Sequence, residues 1–140
     1  MTSTTAFSPA ELAYLLDQRL GRLATVAPDG TLQNNPVGYT VDNVRGTIEI
    51  RGYTMGASRK FRNVAENPEI AFVVDDIASL DPWTVRGIEI RGTAEAVRGE
   101  KPAGEGLSPD IIRIHPRRVV AWGIDPESPG MAGRAFRRPA

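Results

Sequence analysis

"TIEIRGYTMGASRKFRNVAENPEIAFVVDD" spans residues 47–76 and contains the pattern that decides the fold. Alternating apolar and polar residues at its start predict a strand, and the apolar run near its end predicts a second strand covered on both faces. A helix is predicted between them from Ser58 to Glu66, because a residue that precedes proline disfavours the helical conformation. Its expected buried residues are Phe61, Val64 and Ala65.

Two cations, Arg59 and Lys60, occupy the first turn of this helix. The helix dipole disfavours positive charge there by about 0.3–1 kcal/mol for each cation. A bound anion would reverse that sign, because backbone N–H groups, the Ser58 hydroxyl and both cations would converge on one phosphate, with Gly56 allowing close approach of the backbone. The spacing alone leaves open a solvated surface turn with incidental cations.

The flanking sequence continues the β pattern. Ser8 and Glu11 predict a capping box at the start of a first helix, whose apolar stripe is expected to contain Leu12, Leu15, Leu16 and Leu20. Two strands follow in residues 22–27 and 31–42, and others in residues 86–99 and 111–125. Pro36 would remove a hydrogen bond from a central strand, which favours an edge, a bulge or a ligand-facing position. Six or seven strands with two helices indicate a small antiparallel barrel.

Composition narrows the classes of function. Lys plus Arg and Asp plus Glu number 17 each, so no global basic field attracts nucleic acid or an anionic membrane. Cysteine is absent, and no apolar stretch approaches membrane-spanning length, which predicts a soluble cytoplasmic protein. His115 is the only histidine, so a metal site is not expected, and Asp75 and Asp76 should point to opposite faces at a strand end.

Four stretches resemble a known family. They are residues 21–39, 58–76, 81–95 and 112–125, which read "GRLATVAPDGTLQNNPVGY", "SRKFRNVAENPEIAFVVDD", "DPWTVRGIEIRGTAE" and "IRIHPRRVVAWGID". Together they resemble the pyridoxamine 5'-phosphate oxidase-like flavin and deazaflavin oxidoreductases, in particular the branch dependent on coenzyme F420. The resemblance implies a mainly β fold, the FMN-binding split β-barrel, with a six-stranded antiparallel Greek-key barrel and flanking helices. It would form one domain over residues 1–125, with a mobile tail or a partner-binding arm in residues 126–140.

The resemblance also assigns roles to residues. Those expected to hold the cofactor phosphate or lie near it are Tyr53, Thr54, Ser58, Arg59, Lys60 and Asn63. Those expected along the tricyclic ring are Gln33, Asn34, Asn35, Pro36 and Val37. Trp83 matches an aromatic residue of the cofactor or substrate pocket, and Trp122 matches a tryptophan that related oxidases bring from the other subunit. Both tryptophans also fit a core or a dimer interface.

We therefore expect a homodimeric reductase that transfers hydride from reduced F420 to a small organic acceptor, without a metal, nucleic acid or membrane partner. Tyr39 or water is the suggested proton donor. The absence of an acid–base constellation fits hydride transfer, in which the cofactor carries the chemistry. The basic C-terminal segment of the pyridoxamine oxidases has no match here, which argues against pyridoxamine phosphate as substrate. Alternatives are an FMN-dependent oxidase or reductase of the same fold, and a non-catalytic protein that binds F420, or haem through His115.

Overall fold

The computed structural model describes residues 7–100, 106–126 and 132–135, the last of these by backbone alone. Its elements are α1 (Pro9–Asp17), β1 (Leu20–Val26), β2 (Leu32–Asp42), β3 (Thr47–Ile50), a 3-10 turn (Met55–Ala57), α2 (Arg59–Glu66), β4 (Glu69–Leu80), β5 (Trp83–Val97), β6 (Ile111–Trp122) and β7 (Ala132–Ala135). The predicted capping box is present, since Ser8 and Glu11 exchange hydrogen bonds at the start of α1.

The seven strands found in the described residues form one antiparallel sheet in the order β3-β2-β1-β4-β5-β6-β7. β3 also pairs with the first part of β6, which closes the first six strands into a ring. β4 lies beside β1 after three consecutive strands joined by hairpins, and this is the Greek-key order. The prediction of a mainly β, six-stranded antiparallel fold with flanking helices is confirmed.

The core fills the interior of the ring. It includes Ile48 and Ile50 of β3 and Ile88 and Ile90 of β5, all fully buried, together with Phe72 of β4. The connection from β3 to β4 must pass from one side of β2 and β1 to the other, and it carries the 3-10 turn and α2. α2 is thus part of this long connection, and it packs against the ring through Phe61 and Val64, which belong to the core.

The buried side of α2 differs from the prediction at one residue. Ala65 is exposed, and Asn63 is buried in its place, with 2% of its surface accessible. The amide of Asn63 donates hydrogen bonds to Thr25 and Gln33, so a polar side chain fills the inward position without an unsatisfied group. The spacing of apolar residues predicted the wrong buried residue, because the hydrogen bonds of Asn63 to β1 and β2 decide which side of the helix faces inward.

Three further expectations were wrong. Leu16 and Leu20 are 66% and 62% exposed, so neither belongs to the buried stripe of α1. Leu20 lies outside the helix, since α1 ends at Asp17 and Leu20 begins β1. β4 is not covered on both faces, since its burial alternates along the strand. Asp75 and Asp76 lie inside β4 and not at a strand end. Within the C-terminal segment, residues 132–135 pair with β6 of the same chain as β7.

Asp76 ties α1 to the β4–β5 hairpin. Tyr14 of α1 donates a hydrogen bond of 2.7 Å to Oδ1 of Asp76, and Arg86 donates to both carboxylate oxygens at 3.0 and 2.6 Å. The Arg86 guanidinium also lies 5.0 Å from the centre of the Tyr14 ring. Hydrogen bonding to Arg86, assisted by Tyr14, lowers the pKa of Asp76 below its ordinary value. Asp75 faces the other way, as expected, and pairs with Arg22 on the surface.

We expect Asp76→Asn to lower the free energy of unfolding by about 1 kcal/mol at neutral pH, because charge-assisted hydrogen bonds are lost. Since the folded pKa is lowered, this stabilisation exists above the ordinary aspartate pKa and disappears as pH falls through the folded value. Urea denaturation at neutral and acidic pH measures both effects. Asp75→Asn is the matched control and should cost less than about 0.5 kcal/mol. Equal losses in the two variants would contradict the structural role of Asp76.

Candidate functional site

A groove of about 470 Å³ lies between the β1–β2 turn and α2. It is lined by Ala27, Pro28, Asp29, Thr31, Arg59, Arg62, Asn63 and Glu66. Arg59 is the first residue of α2 and is exposed, so its guanidinium can reach a ligand in this groove. Thr31 donates to Asp29 through both its hydroxyl and its backbone N–H, and these bonds hold the pKa of Asp29 below its ordinary value.

A series of hydrogen-bonded amides leads from this groove to β2. Nδ2 of Asn63 donates to Oγ1 of Thr25 and to Oε1 of Gln33, both at 3.1 Å. Nε2 of Gln33 in turn donates to Oδ1 of Asn35 at 2.7 Å. Three residues that the sequence assigns to the cofactor site are thereby connected directly. Arg59 joins them because it lines the same groove as Asn63.

The remaining residues of the predicted ring-binding strand divide between its two faces. Val37 is buried, whereas Asn34 and Pro36 are exposed on the face opposite Gln33 and Asn35. Pro36 instead lines a second groove, of about 410 Å³, together with Leu20, Gly21, Arg22 and Asp75 among others. Among the described strands, only β1 pairs with β2 at Pro36, so the proline lies on an edge, as expected.

At the start of α2, the Ser58 hydroxyl and the space beside Gly56 are taken up by contacts within the protein, where the sequence analysis expected a ligand. The Ser58 hydroxyl caps the helix, accepting from the Phe61 N–H at 3.3 Å and donating to the Met55 carbonyl at 2.6 Å. A Cβ atom on Gly56 would collide with the Asp110 carboxylate. Close approach of Asp110 thus accounts for this glycine, where the sequence analysis invoked a ligand.

The other predicted residues lie around this helix or away from it. Tyr53 and Thr54 are exposed in the loop before the 3-10 turn, and Lys60 is half-buried beside Arg59. Trp83 is 65% exposed at the start of β5, opposite Leu80 at the tip of the hairpin. Trp122 ends β6 and packs over Gly87 of its own chain, where a Cβ atom would collide with the indole.

Sequence reasoning missed Thr25 and Arg62. Thr25 is 1% exposed and is the acceptor that fixes Asn63, and a threonine at an inward position of an otherwise apolar strand was the available signal. Tyr39 is an unsuitable proton donor. Its hydroxyl donates to the Leu15 carbonyl at 2.5 Å, and burial raises its pKa to about 12.

The single histidine lies outside the groove. His115 of β6 contacts the carboxylate of Glu95 on β5. Within residues 7–100 and 106–126, no three His, Asp or Glu side chains are grouped so that they could hold a metal ion. None of the helices described is long and apolar enough to cross a membrane.

Comparison with known proteins gives consistent relatives. A 5a,11a-dehydrotetracycline/5a,11a-dehydrooxytetracycline reductase from Streptomyces rimosus is 51% identical over 120 residues, which cover 85% of this chain and 84% of the reductase. The crystal structure of the conserved hypothetical protein Rv2991 from Mycobacterium tuberculosis is 26% identical, with a TM-score of 0.65, and the match covers 87% and 88% of the two chains. A solved F420 reductase is also 26% identical, with a TM-score of 0.59, over 76% of this chain and 93% of its own.

A haem-binding protein from Mycobacterium smegmatis superposes with a TM-score of 0.67 over 94% of this chain and 59% of its own, but at 18% identity the likeness shows the fold alone. The half-identical reductase supports the prediction that the protein is an oxidoreductase. The family model described as pyridoxamine 5'-phosphate oxidase matches residues 7–136, nearly the entire length. The chain, with its six-stranded ring and its cationic helix between β3 and β4, therefore belongs to the pyridoxamine 5'-phosphate oxidase family.

Proposed function

We propose that the protein is a reductase that uses reduced coenzyme F420 to reduce a small organic acceptor. One observation carries the proposal: Arg59 at the start of α2 shares a groove with Asn63, whose amide is hydrogen-bonded to Gln33 and, through it, to Asn35. Cations for a phosphate and amides for the polar edge of a ring therefore lie on adjacent parts of one surface. The fold binds flavins or deazaflavins in this family, and F420 is the member of that class that we propose here.

The residues present fit such a cofactor. A phosphate at the start of α2 would accept from free backbone N–H groups and from Arg59 and Lys60. The first turn of the helix contains no acidic residue, and the two carboxylates that line the groove belong to Asp29 in the β1–β2 turn and to Glu66 at the end of the helix. Gln33 and Asn35 would meet the ring edge with amide groups. Their strand contains no cation between Gln33 and Gly38, and a neutral edge suits a deazaflavin at least as well as FMN.

When bound, the reduced deazaflavin supplies a hydride, and reduction of an activated carbon–carbon double bond is completed by a proton on the neighbouring carbon. Residues of this chain would hold and orient the cofactor and shield it from water. Arg59 and Lys60 would anchor the phosphate, and Gln33 and Asn35 would fix the ring edge by hydrogen bonds. Because the Tyr39 hydroxyl is occupied by Leu15, we assign the proton to water.

The relative from Streptomyces rimosus is named for reduction of dehydrotetracyclines. We propose that the acceptor of this protein belongs to the same chemical class, a flat polycyclic compound with a conjugated enone. Tyr53 is 78% exposed, and its ring offers a surface on which a flat molecule can stack.

We also propose that the enzyme is a homodimer. Exposed apolar side chains are concentrated on the β4–β5 hairpin, where Ile77 is paired with Val85 and Leu80 with Trp83. A second copy would cover this surface, and an exposed apolar cluster of this kind is typical of an interface. Cytoplasmic localisation and the role of Trp122 toward a partner subunit stay predictions.

The test is binding and turnover with the purified protein. Titration into F420 and, separately, into FMN should show a fluorescence change with F420 at lower protein concentration. Reduced F420 with a dehydrotetracycline should then be oxidised, as seen in the returning absorbance of the oxidised deazaflavin. Preference for FMN would assign the FMN-dependent alternative, and tight F420 binding without turnover across enones and quinones would indicate a carrier. Binding of neither cofactor would overturn the proposal.

A further inference from the structure

The direction of each hydrogen bond in the Asn63–Gln33–Asn35 series is fixed by the one before it. Asn63 uses both protons of Nδ2, one toward Thr25 and one toward Gln33. Gln33 must therefore present its carbonyl to Asn63, so its nitrogen faces Asn35. Asn35 accepts that proton on Oδ1, and its own NH2 group is consequently turned away from Gln33.

The buried end of the series sets this direction. Asn63 is 2% exposed and Thr25 is 1% exposed, while Gln33 and Asn35 are only half-buried. Reversal of the Asn63 amide would require the Thr25 hydroxyl and the Gln33 amide to turn with it, whereas a half-buried amide at the end of the series can turn alone at little cost. Asn63 thus dictates the orientation of two side chains that are more exposed than itself.

We propose that Asn63 is a positioning residue which, through Gln33, holds Asn35 with its NH2 group toward the ring of the bound cofactor. This inference rests on the proposed function for the identity of the ligand. A hydrogen-bond donor at the ring edge would favour the form that is richer in electrons at its carbonyl and nitrogen atoms, and we take the reduced ring, which has gained two electrons, as that form. The protein would therefore bind reduced cofactor more tightly than oxidised cofactor.

Asn63→Asp reverses the series without removing it. A carboxylate accepts where the amide donated, so the Thr25 hydroxyl can donate to it and Gln33 must turn its nitrogen toward residue 63. The Gln33 carbonyl then faces Asn35, which turns to donate to it. The carbonyl of Asn35 becomes the group presented to the ring. We expect the preference for reduced over oxidised F420 to fall about tenfold, measured as the ratio of the two dissociation constants.

The added charge of Asn63→Asp needs a control. Asn35→Ala removes the last amide and should lower the same ratio by about fivefold. In the Asn35→Ala background, Asn63→Asp should cause no further fall, because the series no longer has an end group to turn. A tenfold fall that persists in the double variant would show that residue 63 acts by charge, and it would overturn the proposal.

Gln33→Met interrupts the series at its middle without adding charge. Because Gln33 is only half-buried, this variant should fold even if Asn63→Asp does not. It should lower the ratio by about threefold. An unchanged ratio in Gln33→Met would also overturn the proposal.

A measurement without cofactor separates this inference from the proposed function. In ¹H–¹⁵N spectra of the free protein, the side-chain NH2 resonances of Asn35, assigned by their loss in Asn35→Ala, should shift in Asn63→Asp although the two residues do not share a hydrogen bond. Unmoved resonances in a folded variant would refute the orientation series. Moved resonances with no binding of F420 or FMN would instead refute only the proposed function.

Discussion

Replacing both Arg59 and Lys60 by alanine is expected to weaken binding of the phosphorylated cofactor by about 100-fold, because two charge-assisted hydrogen bonds are lost. The two residues are the first and second of α2, and neither forms an ion pair with another described residue. Their removal takes positive charge away from the positive end of a helix dipole. The helix should therefore gain about 0.3–1 kcal/mol for each cation removed.

The prediction is thus a loss of affinity together with an unchanged or slightly raised Tm. Isothermal titration with F420 measures the first, and thermal denaturation measures the second. A matched control removes two exposed arginines elsewhere, Arg91 and Arg117, and so changes the net charge by the same amount. It should leave affinity within about twofold, since neither arginine lines the groove and exposed charges that do not contact the ligand are screened by salt. Full affinity in the Arg59→Ala/Lys60→Ala variant would move the phosphate to another part of the surface.

Gly92→Ala should destabilise the protein by about 3 kcal/mol, near the upper end for a steric insertion into a packed interior. The pairing of β5 with β6 is irregular at this point, where Gly92 lies opposite Pro116 and Arg117 is left without a partner in the register. A Cβ atom on Gly92 would collide with the carbonyl oxygen of His115, which belongs to the backbone and cannot turn aside. We expect Tm to fall by about 10 °C.

Gly38→Ala is the matched control for this variant. Gly38 also lies in a strand, yet a Cβ atom there would meet nothing within 4 Å. The change should be neutral or stabilising by up to about 1 kcal/mol, since alanine restricts the unfolded chain. If both glycine variants unfold at the same temperature as the parent, then β5 and β6 approach less closely than the structure indicates.

The sequence predicted secondary structure correctly where the spacing of apolar residues and the residues at element ends indicated the same element. Alternating residues at the start of the 47–76 stretch predicted a strand, and its isoleucines, Ile48 and Ile50, are fully buried in β3. Ser8, Pro9 and Glu11 predicted the start of α1 to the residue. The number of strands indicated a barrel, and the resemblance to a known family then supplied its Greek-key order, which local pattern alone does not contain.

The candidate site was harder to predict because its geometry depends on contacts between distant parts of the chain. Asn63 was chosen by resemblance, but its burial depends on Thr25 and Gln33, which are 38 and 30 positions away. Gly56 was interpreted as an opening for a ligand, whereas Asp110 of the loop before β6 occupies that space. Pro36 was assigned to the same surface as Gln33, and the alternation of a strand separates them.

The pairing of β3 with β6 also has a consequence for how the molecule is made. The ion pair that accompanies this pairing joins Arg113 to Glu49, which are 64 positions apart, so pairing of these strands closes a long loop of chain. Contacts between such distant residues slow folding, because closing the loop costs chain entropy. Until the two strands pair, their edges remain open to pairing with other chains, and aggregation during synthesis competes with completion of the native state.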